Sequence, residues 1–195
     1  AQAVGLMVTK PVDAYFPAIG PTHMAQVAGG AFQQGLTPLS MMAAPSFNDA
    51  FVREGFALAP LFTSGSMYLM AFVAPYEAET AGHATMRATF TAMGIDSANT
   101  FLVAGWASQH HLKGVLEAAN KGGDLTRAGI RRAAGSVYVD SDGMMPQREL
   151  GQNRADAESF IAVPDGTIGS GVKLLAGNYV GPSAGGYDWE SGPCS

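Results

Sequence analysis

From Ala14 to Asn48, and again from Gly55 to Tyr76, the chain carries no Asp, Glu, Lys or Arg. Charge-free runs of this length have little to hold them in water, so most of both must be buried. A bilayer or a protein core could do that. The second run is long enough to cross a bilayer, which takes about 20 apolar residues. However, Pro60, Pro75 and the polar run Thr63-Ser64-Gly65-Ser66 interrupt it, and no Lys/Arg cluster flanks it. A core of strand, loop and helix is the expected environment. Composition agrees: 47% of the 195 residues are hydrophobic and 14% are charged, against about 25% charged in an average domain. Intrinsic disorder is thereby excluded. A net charge of −5 without a basic stretch excludes a phosphate-holding nucleic-acid surface. The single cysteine, Cys194, excludes a disulfide scaffold. The length allows one large domain or two small ones.

Local patterns divide the chain further. The apolar run 3–8, bounded by Lys10-Pro11, reads as a buried strand. Pro21 suits a first helical turn, Met24, Val27, Ala28, Ala31 and Phe32 recur at helical spacing, and Gly35 is a natural stop. Gly29 and Gly30 inside that helix are expected to let it lie tightly on a sheet. Leu39–Ala43 reads as the next strand, which makes the first 45 residues a βαβ unit of a parallel sheet. Gly55–Phe62 reads as a third strand. Met67 to Thr80 reads as a helix with Tyr68, Phe72, Val73 and Tyr76 on its apolar side, and Ala84–Met93 continues helical. Ser97 or Asn99 can cap a helix from Thr100 to Asn120, with Phe101, Leu112, Val115, Leu116 and Ala119 on one stripe. Thr126 caps a short helix to Ala134. Tyr138-Val139, Glu158–Val163 and 172–180 read as strands, Asp140–Gly143 as a turn, and Pro182–Ser195 as a surface tail.

No motif carries enzyme chemistry. Adjacent His110 and His111 point about 100° apart on a helix and cannot share a metal as an i, i+4 pair can. Asp140-Ser141-Asp142-Gly143 lacks the later ligands of a calcium loop. Gly166-Thr167-Ile168-Gly169-Ser170-Gly171-Val172-Lys173 fits neither the dinucleotide nor the phosphate-loop pattern. No G-x-S-x-G occurs. No cofactor and no metal is implied. In open α/β sheets, ligands bind at the carboxyl ends of the strands. The candidates there are Thr9, Lys10 and Tyr15 after the first strand, and Ala43, Pro45, Ser46, Phe47 and Asp49 after the second.

The order of segments resembles the C-terminal half of type I periplasmic solute-binding proteins of the branched-chain amino-acid (Leu/Ile/Val-binding) receptor family. Val4-Gly5-Leu6-Met7-Val8 followed by Pro11 resembles the strand opening the second part of that lobe. Gln33-Gln34-Gly35-Leu36 resembles the end of its next helix, and Phe72 to Ala78 its F-x-x-x-Y-x-A helix. Trp106 stands where a Tyr is common, and Gly123-Asp124-Leu125-Thr126-Arg127 resembles the linker into a short helix. Asp142-Gly143 resembles the late turn. The resemblance implies an α/β fold: a Rossmann-like three-layer lobe with a parallel sheet, plus the crossover and helices of a second lobe. It divides the chain into part of the C-terminal lobe (1–64), crossover and N-terminal-lobe helices (65–136), and late strands with a tail returning between lobes (137–195). It also implies a non-enzymatic receptor outside the cytoplasm, periplasmic in setting. Such a receptor delivers a small polar or aromatic solute, an amino acid or a relative of one, to the membrane permease of an ABC transporter. Ala43 stands where the family places the acid that holds an ammonium group, and no acid follows until Asp49. Thr9 stands near the place of a family tyrosine, and Trp106 would approach the cleft from the other lobe.

Two other classes remain open on the residues alone: a small hydrolase-like α/β enzyme, and an interaction module with an apolar pairing face. Complete family members are much longer, so a missing N-terminal half or a second copy is an expected partner. The chain opens on an apolar run without a basic lead, so no signal peptide is expected within it.

Overall fold

A computed structural model describes residues 2–146, 148–149 and 158–182. The tail beyond 182, most of the polar segment 146–156, and Cys194 lie outside the described residues. The order of elements is α1 (Gln2–Thr9), β1 (Ala14–Tyr15), α2 (Pro21–Gln33), β2 (Leu39–Ala43), α3 (Ala59–Phe62), β3 (Met67–Ala71), α4 (Ala81–Ala92), α5 (Thr100–Lys121), α6 (Arg127–Ala133), β4 (Tyr138–Val139), β5 (Arg148–Glu149), β6 (Glu158–Pro164) and β7 (Val172–Val180). Short 3-10 turns at Ala44–Ser46 and Asp49–Val52 follow β2. The main sheet runs β1-β2-β3-β6-β7; the first three strands are parallel, and β6 and β7 join antiparallel. β1–α2–β2 is the expected βαβ unit, with its first strand later than the sequence suggests. Among the described residues, no helix is long and apolar enough to cross a membrane.

Three sequence readings are corrected. Residues 3–8 form a helix rather than a buried strand, and α1 has no buried residue. Its apolar run is too short for periodicity to separate helix from strand; Val4 packs against Gly30 of α2, while Leu6 and Val8 stay exposed. Gly55–Phe62 is a turn followed by α3. Gly55 takes φ +87, and Pro60 sits in the first turn of the helix, where its missing N–H costs nothing. Met67–Thr80 is not a helix: Met67–Ala71 is β3, buried at Met67 and Leu69 and exposed at Met70. Its pairing with β2 and β6 on both sides overrides the helical spacing of Tyr68, Phe72 and Val73. The family-like segments Val4–Val8 and Phe72–Ala78 therefore do not have the strand and helix the resemblance implies.

Other expectations hold. α2 starts at Pro21, and Gly35 terminates its last turn at φ +73. Asn99 caps α5 by accepting the Leu102 N–H at 3.1 Å. Thr126 caps α6 by accepting the Gly129 N–H at 3.2 Å. Gly29 and Gly30 do mark close approaches, but to Leu58 and Val4 rather than to the sheet. The stripe on α5 divides: Val115 and Ala119 are buried with Val103 and Ala107, whereas Phe101, Leu112 and Leu116 face outward.

Two main apolar cores result. The first joins Met24 and Ala28 of α2, Met42, Leu69 and Ala162 of the sheet, and the rings of Phe47, Phe51 and Phe62. Met42, Leu69 and Ala162 are register partners, so one row of side chains crosses three strands. The second core joins Val73 and Tyr76 to Met86 and Phe90 of α4, Val103 and Ala107 of α5, and Met144 and Met145. The chain passes from one core to the other just after β3. It comes back alongside itself, the Ala74 N–H donating to the Met144 carbonyl at 3.0 Å. Gly82 lets α4 begin directly beneath this return: a Cβ there would lie 2.7 Å from the Ser141 carbonyl oxygen and 2.5 Å from Met144 Cγ. Gly82→Ala is expected to cost about 1–3 kcal/mol by overpacking, to be read by thermal unfolding.

Candidate functional site

Parallel strands bring their carboxyl ends to one edge, and three segments meet there. The loop after β1 is laid against the turn after β2 by three hydrogen bonds. The Ala43 N–H donates to the Pro17 carbonyl at 3.0 Å, and the Ile19 N–H donates to Ser46 Oγ at 3.1 Å. The buried Ser46 hydroxyl in turn donates to Pro17 O at 3.2 Å. β3 ends beside β2, with Ala43 opposite Met70. The backbone at this edge is thus well bonded while its large side chains are not covered. Phe16 is 76% exposed, Phe72 45% and Ile19 37%, with exposed Pro45 between them in sequence. No acidic or basic residue occurs in these three segments. The rim is apolar and rests on a fixed frame, which suits an apolar group of a ligand.

The sequence candidates are placed as follows. Ala43 ends β2 and Pro45 lies in the turn after it, both on this edge. Tyr15 ends β1, half-buried against the first core. Burial pushes its phenol above the ordinary value of 10.0. The Ser40 hydroxyl, its register partner, opposes part of that shift but lies outside ordinary hydrogen-bond geometry. Phe47 is 2% exposed and packs edge-to-face on Phe51, so it belongs to the core. Thr9 and Lys10 follow a helix rather than a strand. The Thr9 hydroxyl donates to the Gly5 carbonyl at 3.0 Å within α1, so neither residue stands at the strand edge. Asp49 pairs with Arg53 at 3.5 Å. Arg53 also donates to the Ile168 and Gly169 carbonyls of the β6–β7 loop. Glu77 holds the same loop from the other side, accepting the Ser170 N–H at 2.9 Å and its O–H at 2.5 Å. Asp49 is therefore part of a clamp on that loop.

Trp106 lies elsewhere, in the second core, with its ring edge-to-face on Phe90 at 5.6 Å. It lines a recess of about 330 Å³ with Gly82, Thr85, Gln109, His110, Lys113 and Asp142. Another recess, of about 270 Å³ between Met7, Pro11 and Pro38, lies at the amino ends of β1 and β2, opposite the rim. Among the described residues, no group of three or more His, Cys, Asp or Glu is placed to hold a metal.

Sequence reasoning missed Phe16, Ile19 and Phe72 as rim residues. Placing the first strand at 3–8 moved the expected edge to Thr9, and reading Phe72 as helical turned it inward. The usable signal was the Phe16-Pro17 pair, since a proline two residues after Tyr15 ends a strand.

No protein-family model matches the sequence, and no curated protein matches it. Solved structures do match. A fatty acid ABC transporter substrate-binding protein from Thermomonospora curvata superposes with a TM-score of 0.81 at 20% identity, over 95% of this chain and 48% of that one. An ABC transporter substrate-binding protein from Aeropyrum pernix superposes with a TM-score of 0.68 at 14% identity, over 93% of this chain and 48% of that one. The chain spans about half the length of each, and at these identities the likeness is one of fold. The chain has the mixed α/β architecture, with a parallel sheet and flanking helices, that forms about half of an ABC transporter substrate-binding protein.

Proposed function

We propose that this chain is a solute-binding part of an ABC transporter receptor and that it holds the apolar portion of a small solute against the rim formed by Phe16, Ile19, Pro45 and Phe72. The observation that carries the reading is this uncharged, exposed apolar edge at the carboxyl ends of three parallel strands, where open α/β sheets bind ligands. The fold likeness supports it, and one of the similar structures is named for fatty acids. Ala43, in place of an acid, disfavours recognition of an ammonium group here and favours a solute with a substantial hydrocarbon part. On this reading the first core is a piece of one lobe. The second core belongs to another lobe, and the chain crosses between them after β3. The outward stripe of Phe101, Leu112 and Leu116 then packs on the remainder of the receptor, which in both similar structures is about as long again. A membrane permease and an extracytoplasmic setting follow from the same reading.

A solute trapped between two lobes contacts both, so this chain alone should bind it weakly. Calorimetry with straight-chain carboxylates of increasing length tests the rim. Affinity should rise about fourfold per added methylene, the equivalent of about 0.8 kcal/mol of burial. It should be lost in a Phe16→Asp/Phe72→Asp variant that melts like the parent. Affinity independent of tail length, or unchanged in that variant, would overturn the reading.

A further inference from the structure

We propose that the recess between α4, α5 and the Asp140–Gly143 turn is a binding site for a small organic ammonium ion, separate from the rim and independent of the receptor reading. Trp106, His110 and Lys113 stand three to four residues apart on α5, so they share one face of the helix. Gly82 and Thr85 of α4 and the turn residue Asp142 supply the opposite wall. The volume of about 330 Å³ is that of a small-molecule site.

The charge balance selects a cation. Lys113 is drawn toward the next turn of its own helix, its Nζ 3.8 Å from Glu117 Oε1. Its charge in the recess is thereby offset. Asp142 has no such partner: no salt bridge among the described residues involves it. Its position is nevertheless fixed. The Asp142 N–H donates to Asp140 Oδ1 at 2.9 Å, its carbonyl accepts the Gly82 N–H at 3.0 Å, and its backbone takes the left-handed φ of 52. A non-glycine residue adopts that conformation at a cost unless the surroundings impose it. The aromatic side is fixed as well, because the Trp106 ring is held against Phe90. A carboxylate with no salt bridge among the described residues, in a small apolar recess shared with an indole and an imidazole, is the combination that binds alkylammonium ions, by ion pairing and by cation–π attraction.

The test is calorimetric titration of the chain with choline and with its neutral carbon isostere, 3,3-dimethyl-1-butanol. Choline should bind saturably, and the isostere about tenfold more weakly, because it lacks only the charge. Asp142→Asn, which tolerates the left-handed backbone, should weaken choline about tenfold while melting like the parent. Lys113→Met should leave choline binding equal or stronger, since it removes a like charge. The proposal is overturned by equal binding of the two probes, by an Asp142→Asn variant that binds like the parent, by weakening on Lys113→Met, or by no saturable binding below about 10 mM. None of these outcomes bears on carboxylate binding at the rim.

Discussion

Phe62→Ala is expected to lower the free energy of unfolding by about 3–5 kcal/mol. The ring is fully buried, 4.6 Å from Phe51 and 6.2 Å from Phe56 between centroids. Phe51 also touches Phe47 and Phe56, so the cavity opens in the middle of a four-ring cluster. The neighbours have little freedom to collapse into it. Phe51 lies on the 3-10 turn Asp49–Val52, whose following residue Arg53 is tied to the β6–β7 loop. α3 is only four residues long, and such a helix has little stability of its own. Its place depends on Leu61 and Phe62. The loss should therefore spread to the segment between β2 and β3, visible as faster amide exchange at 56–64. In a chain of this size each kcal/mol corresponds to about 2–4 °C in the melting temperature. Circular dichroism melts of Phe62→Ala beside the milder Phe62→Leu measure it. A loss below about 1 kcal/mol for the alanine variant would contradict the packing described.

His83→Ala should cost about 2–4 kcal/mol and should also change how stability depends on pH. His83 is completely buried in the first turn of α4. The neutral Nε2–H tautomer is satisfied on both sides, donating to the Ala74 carbonyl at 3.2 Å and accepting the Thr80 hydroxyl at Nδ1 at 2.8 Å. Removing the ring leaves a cavity and an unpaired carbonyl where the chain passes between its two cores. Desolvation is the main cause that holds the imidazole below its ordinary pKa of 6.5. The Ala74 carbonyl opposes it, nearby Arg87 adds to it, and Glu79 and Glu77 act the other way. The sign follows from proton counts. As pH falls below the unfolded value of about 6.5, the unfolded chain takes up a proton that the folded one refuses, so stability declines until the folded pKa is reached. Above about 6.5 the contribution is flat. Melting curves from pH 8 down to pH 5 should show this acid-side loss in the parent and its removal in His83→Ala. An identical pH slope in both would refute the assignment.

The sequence shows most clearly what depends on near neighbours. α2, α5 and α6 are readable from Pro21, Asn99 and Thr126, because a cap or a proline acts on the turn beside it. β2, β6 and β7 are readable because short apolar runs between turn residues have few other uses. α1 and β3 were exchanged in kind for a related reason. Ala3–Val8 and Met67–Val73 are both apolar and both lack a decisive period, and what separates them is pairing with strands far along the chain. Met67 and Leu69 become strand residues because Ser40 and Met42 lie beside them and Ala162 follows on the far side. The rim shared this fate: Phe16 and Phe72 are 56 positions apart in sequence and meet one edge only because β1, β2 and β3 are parallel. The charge-free runs, by contrast, already marked the right material. They contain much of the first core and all of the rim.

Hydrogen exchange of this chain, with and without a saturating long-chain carboxylate, tests the central claim most directly. Protection should fall on 16–19, 43–46 and 71–74, at the carboxyl ends of the parallel strands. Protection confined to 7–13 and 35–38, at the opposite ends, or to the α4–α5 recess, would contradict it.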